Sequence, residues 1–124
     1  MKKILVLLFG ILILVSCSSN EESNNLQIRI SNVSEFDYEN IIVSTSGNYV
    51  DYGNLSSNSN SEYKIFDLAY RYAFVELQVD EETYTFQPID YVGETPLKKG
   101  FYSYEININS DSQFQELILA LKVD

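Results

Sequence analysis

Period-two alternation of apolar and polar side chains recurs along most of residues 26–124, and few folds accommodate it. Successive side chains of a strand point to opposite faces, so alternation marks a half-buried strand. Leu26, Ile28 and Ile30 share one face, and Ile41-Ile42-Val43 is a short β-branched run. Tyr49 to Leu55 is a weaker segment interrupted by Gly53, and Tyr63-Lys64-Ile65 alternates again. From Arg71 to Val79 the set Ala73, Val75, Leu77 and Val79 faces one way. Asp80-Glu81-Glu82 then turns tightly into Thr83 to Gln87, where Tyr84 and Phe86 share a face, and the pair reads as a hairpin. The clearest strand is Phe101 to Asn109, with Tyr102, Tyr104, Ile106 and Ile108 on one side.

The last segment, Phe114 to Val123, carries two periods at once. Leu117, Leu119, Leu121 and Val123 fit a strand, whereas Phe114, Leu117, Ile118 and Leu121 fit a helix face that Ser112 to Gln115 would cap. A short polar turn after a long strand invites hairpin pairing, which favours the strand. About seven short strands separated by polar turns predict an all-β domain. The expected fold is an antiparallel two-sheet sandwich, an immunoglobulin- or transthyretin-like Greek key, with a small closed β-barrel as the alternative. Leu97-Lys98-Lys99-Gly100-Phe101-Tyr102 also resembles a tyrosine corner, in which a Tyr hydroxyl bonds back to upstream backbone.

The N-terminus is of another kind. Lys2 and Lys3 precede an apolar run, Ile4 to Val15, that is too short for the roughly 20 residues a membrane-spanning helix needs. Leu14-Val15-Ser16-Cys17 follows, with the chain's single cysteine at its end. A basic n-region, a short h-region and a small residue before the cut make a secretory signal, and the cysteine makes it a lipoprotein box. The expected organisation is a signal peptide over 1–16, a lipidated Cys17 with a flexible tether over 17–25, and a β-sandwich domain over 26–124. A diacylglyceryl group on Cys17 would anchor the protein without spanning the membrane.

Of the 8 basic residues, Lys2 and Lys3 leave with the signal, so the mature chain carries 6 against 18 acids, a balance of −12. Nucleic-acid binding rests on cationic neutralisation of phosphates, so no nucleic-acid partner is expected. The chain has no histidine, which removes the commonest general base and metal ligand together. With the cysteine committed to lipid, Ser-His-Asp and Cys-His catalysis are excluded and no enzyme is expected. No cofactor is expected either. Asn107, Asn109 and Asp111 alternate like the start of an EF-hand loop, but its sixth position is Ser112 rather than glycine and its twelfth is Ile118 rather than glutamate. That stretch reads as a hairpin tip, and Asp80-Glu81-Glu82 as a solvated turn, so no metal site is assigned. Asn32-Val33-Ser34 matches a glycosylation sequon.

Two features nominate a binding surface. If Ala73, Val75, Leu77 and Val79 face the core, Tyr70, Tyr72 and Phe74 lie on the opposite face, where exposed aromatics suit a protein or glycan. The 88–99 loop adds Asp90, Tyr91 and Glu94 between two prolines, and long loops on sandwiches commonly carry function. The segments Ala69-Tyr70-Arg71-Tyr72-Ala73-Phe74-Val75-Glu76, Gln87 to Pro96 and Gly100 to Tyr104, together with the lipobox, resemble small lipoproteins of Bacteroidota. That resemblance implies an envelope location and brings no activity with it. Ser18-Ser19-Asn20-Glu21-Glu22 likewise resembles the acidic export signal of that phylum, although the family pattern sets its acids closer to the cysteine, which leaves the leaflet open. The expected protein is a lipid-anchored, non-catalytic binding or accessory module at the outer membrane or cell surface. The alternative is an assembly component acting by β-strand addition. The first predicts an exposed aromatic patch, the second a long uncovered edge strand.

Overall fold

The computed structural model describes residues 24–45, 47–88, 94–111 and 113–124. The expected signal, Cys17 and most of the expected tether lie outside the described residues. Eight strands follow in chain order: β1 (Leu26–Asn32), β2 (Tyr38–Thr45), β3 (Asn48–Leu55), β4 (Lys64–Phe66), β5 (Phe74–Val79), β6 (Glu82–Phe86), β7 (Gly100–Ile108) and β8 (Leu117–Val123). They form two four-stranded sheets, ordered β4-β1-β7-β8 and β3-β2-β5-β6. The sheets stack over one core, so the sandwich forms and the barrel does not.

Every pair within the sheets is antiparallel except β1 and β7, which run parallel from Leu26 beside Gly100 to Asn32 beside Ile106. The first sheet is therefore mixed where an antiparallel one was expected. Immunoglobulin constant domains order their strands ABED and CFG. Here the first strand sits between the fourth and the seventh, which departs from that order and leaves the transthyretin-like alternative.

Alternation sets each strand's inner face. Ile28 and Ile30 of β1, Ile41 and Val43 of β2, Val75 and Leu77 of β5, and Tyr104 and Ile106 of β7 are fully buried. The expected strand over Arg71 to Val79 begins only at Phe74. Upstream, the Ala69 carbonyl accepts from the Leu97 N–H (2.9 Å) and the Tyr70 carbonyl from the Tyr104 hydroxyl (2.6 Å), so this backbone bonds across the sandwich. The last segment is a strand from Leu117, in register with β7 from Ile108 beside Leu117 to Tyr102 beside Val123. Phe114 stays outside it, 75% exposed, so the helix face does not form. The β5–β6 hairpin turns on Asp80 and Glu81, both in the left-handed region (φ 51° and 70°), as a two-residue type I′ turn requires.

With no disulfide among the described residues, buried tyrosine hydroxyls tie the sheets together. Tyr38 of β2 donates to the Ile106 carbonyl of β7 (2.8 Å), and Tyr52 of β3 donates to the Ile28 carbonyl of β1 (2.6 Å). Burial raises the pKa of both hydroxyls above the ordinary tyrosine value, for Tyr52 with a further push from nearby Tyr104 and for Tyr38 against a hydrogen bond with Ser34. The tyrosine corner forms as well. Tyr102 donates to the Lys98 carbonyl (2.8 Å), and its ring lies 3.8 Å from where a Cβ would stand on Gly100, whose φ is +146°.

Candidate functional site

The nominated aromatics do not form an exposed patch. Tyr70, Tyr72 and Phe74 are half-buried, because the first two precede β5 and pack in the crossing between sheets. Tyr72 lies 6.5 Å, ring to ring, from Phe86 and donates from its hydroxyl to Glu94 Oε2 at 3.0 Å. The structure thus joins one nominated aromatic to one nominated loop acid. Phe74 stands on the outer face of its sheet beside Ser44, and Tyr49, 71% exposed, flanks Ser44 from β3. Asp90 and Tyr91 lie outside the described residues.

Several other motifs are absorbed by the fold. Asn32 is 1% exposed, and its Nδ2 donates to the carbonyls of Phe36 (2.8 Å), Leu55 (3.2 Å) and Ser56 (3.2 Å). Its Oδ1 accepts from the Ser34 N–H and hydroxyl. The sequon therefore matches a buried turn organiser with no room for a glycan. The side-chain oxygens of Asn107 and Asn109 accept from the N–H groups of Ile108 and Asp111, as turn-forming residues do. Among the described residues no three acidic, His or Cys side chains gather as a metal site.

Local periodicity does not announce a cluster on the outer face of the first sheet. Arg29 Nε donates to Ser103 Oγ (2.9 Å), and the hydroxyls of Ser103 and Tyr63 both donate to Asp124 Oδ2 (2.7 Å each). The guanidinium also pairs with that oxygen at 3.5 Å and stacks 4.9 Å above the Tyr63 ring. Burial pushes the Asp124 pKa up, but hydrogen bonds from Ser103 and Tyr63 and the charges of Arg29 and Lys122 outweigh it and hold the carboxyl below its usual value. The same burial, reinforced by Asp124, raises the Tyr63 hydroxyl. One carboxylate oxygen serving this many donors is a clasp between β1, β7 and the end of β8.

The open feature is β8. It pairs with β7 on one side only. At its start Thr85 of β6 donates to the Gln115 carbonyl (3.3 Å) and bridges Glu116; beyond that the two strands part. The Asp124 N–H donates to Phe101 and the Glu116 carbonyl accepts from Asn109, so the even-numbered residues turn their main chain toward β7. The N–H and C=O groups of Leu119, Leu121 and Val123 face the other way, and among the described residues they meet no main-chain partner. Leu121 and the largely exposed Val123 line a groove of about 520 Å³, walled by Arg71, Glu94, Pro96, Leu97, Lys98 and Tyr102. The other edges are blunted. The β2–β3 ladder shifts register twice, with Gly53 left-handed at φ +73°, β4 has three residues, and β6 has five, one of them bridged. A long regular edge is a template for another strand, and natural sheets usually interrupt theirs.

No family model matches the chain, and the comparison with curated proteins finds no match. Among solved structures it is similar to one determined by NMR for a protein from Eubacterium rectale. The TM-score is 0.57 at 15% identity, over 82% of this chain and 94% of that one. At that identity the likeness concerns the sandwich fold.

Proposed function

We propose that this chain is a lipid-anchored, non-catalytic module of the bacterial envelope that holds a partner by adding the partner's strand to β8. The observation that carries the reading is the β8 edge. It is regular over Leu117–Val123, partnered on one side, and bordered by a groove that mixes apolar and charged side chains. In strand addition the main chain supplies affinity and pockets for alternate side chains supply selectivity, and both elements lie side by side here. The lipobox at Cys17 supports the anchoring. Docking through Tyr70, Tyr72 and Phe74 is less well supported, because those rings are half-buried and Tyr72 is held by Glu94.

Leu119→Pro tests the reading. Proline removes an N–H that faces the open edge and leaves the bonds to β7 in place. With a photo-cross-linking amino acid at Ile118, whole cells should yield one discrete adduct, which the added Leu119→Pro change should abolish while the protein stays folded and at normal abundance. An adduct equally strong in the proline variant, or none from Ile118, would overturn strand addition.

A further inference from the structure

The charges around the groove bear on what occupies it. The domain is strongly acidic, yet its few basic residues are unevenly placed. Arg29 is engaged with Asp124, and Lys64 Nζ lies 5.8 Å from the centre of the Tyr52 ring. Arg71 and Lys98 line the groove, and Lys99 borders a neighbouring hollow that shares Leu97 and Lys98 with it. Among the described residues, no carboxylate lies within ion-pair distance of Arg71, Lys98 or Lys99. The acid of the groove, Glu94, accepts from the Tyr72 hydroxyl. Arg71 and Lys98 set against that single carboxylate leave the groove a local positive surplus on a negative protein. Groups within a Debye length of about 8 Å feel the local charge more than the distant net charge.

Resting on the strand-addition reading, we infer that the occupant is an extended peptide segment, apolar at alternate positions and acidic at the end lying opposite Val123. Three features specify it. The outward N–H and C=O groups of Leu119, Leu121 and Val123 call for a main chain in extended conformation. Leu97, Tyr102, Leu121 and Val123 call for every second side chain to be apolar. Lys98 and Arg71, which share the groove lining with Val123, call for a carboxylate there, since charge-assisted hydrogen bonds are the strong ones. A second copy of this chain fits poorly. Two β8 strands paired antiparallel would bring together two chains that share the same negative surplus, which opposes association.

Three labelled synthetic peptides test this against the full chain in detergent, by fluorescence anisotropy. Each alternates valine and threonine over eight residues, ending in two glutamates, two serines or two lysines. The glutamate peptide should bind at least about tenfold more tightly than the lysine peptide at low salt, a factor equivalent to about 1.4 kcal/mol. Arg71→Gln with Lys98→Gln, or high salt, should erase that difference. Binding of any peptide should also slow hydrogen exchange at the amides of Leu119, Leu121 and Val123, a readout that needs no variant. Equal affinity for the three, or preference for lysine, would overturn the acidic occupant and leave strand addition standing. No binding, or binding without protection of those amides, would overturn both. A stable dimer that Leu119→Pro dissolves would overturn the peptide occupant in favour of a second copy.

Discussion

Replacing Tyr52 with phenylalanine removes one oxygen from a residue that is 8% exposed and cuts a 2.6 Å hydrogen bond from β3 to the Ile28 carbonyl of β1. A net buried hydrogen bond contributes about 0.5–1.5 kcal/mol, and an acceptor left unsatisfied raises the cost. The expected loss at neutral pH is about 1–2 kcal/mol, and each kcal/mol moves the melting temperature of a domain this size by roughly 4–8 °C. The same substitution has a second signature. Burial raises the Tyr52 pKa above its ordinary value of 10.0, so the folded protein keeps this proton where the unfolded chain loses it. That stabilisation is fully present below pH 10 and is lost as pH rises above it, by about 1.4 kcal/mol per pH unit. The phenylalanine variant does not lose it. Urea unfolding of the two proteins between pH 7 and pH 11.5 should show the variant weaker at neutral pH and the gap closing near pH 11. Stability curves that stay parallel throughout, or a neutral-pH difference below about 0.3 kcal/mol, would refute a hydroxyl that holds the two sheets together.

Other changes probe other parts of the molecule. Asp80→Asn with Glu81→Gly should stabilise the domain by about 1 kcal/mol in urea, because glycine relieves the left-handed strain at position 81 and Asn-Gly is the preferred type I′ pair. Asn32→Ala should cost about 2–3 kcal/mol, since it strands the carbonyls of Phe36, Leu55 and Ser56, and a thermal melt would register that against an unchanged Glu62→Ala control at an exposed position. Cys17→Ala should abolish labelling by a fatty-acid analogue in cells, and persistent label on the variant would end the lipoprotein reading.

What was legible in the sequence was whatever short spans decide. Alternation found the inner faces of β1, β5 and β7, and the acidic turn at Asp80-Glu81-Glu82 found a hairpin, although Glu82 already belongs to β6. The Leu97–Tyr102 stretch carries its corner because the hydroxyl's acceptor, Lys98, is only four residues away. What stayed hidden depends on distant partners. Nothing local in Leu26–Asn32 says that it lies parallel to a strand some seventy residues on. Tyr70 and Tyr72 look like strand residues until the Leu97 N–H and the Tyr104 hydroxyl take the neighbouring carbonyls. The candidate site was least visible of all. Whether β8 has a neighbour depends on the order of strands in a sheet, and Arg71 reaches the groove only through the same ordering.

The parallel pairing of β1 with β7 has a mechanical consequence. A pull on the residues before Leu26 enters the domain at the start of β1, an interior strand flanked by β4 and β7. Its ladder with β7 runs in unbroken register for seven residue pairs, and both strands start at the same end. Tension drawn out through the far end of β7 therefore runs along the ladder and loads its hydrogen bonds together, in shear. Between antiparallel neighbours joined by a hairpin, a pull on the two free ends would open the bonds one after another, like a zipper. The first strand of the domain thus sits where the sheet resists rupture best, and under the proposed strand addition a tug on a partner at β8 would reach it through β7, the strand between them.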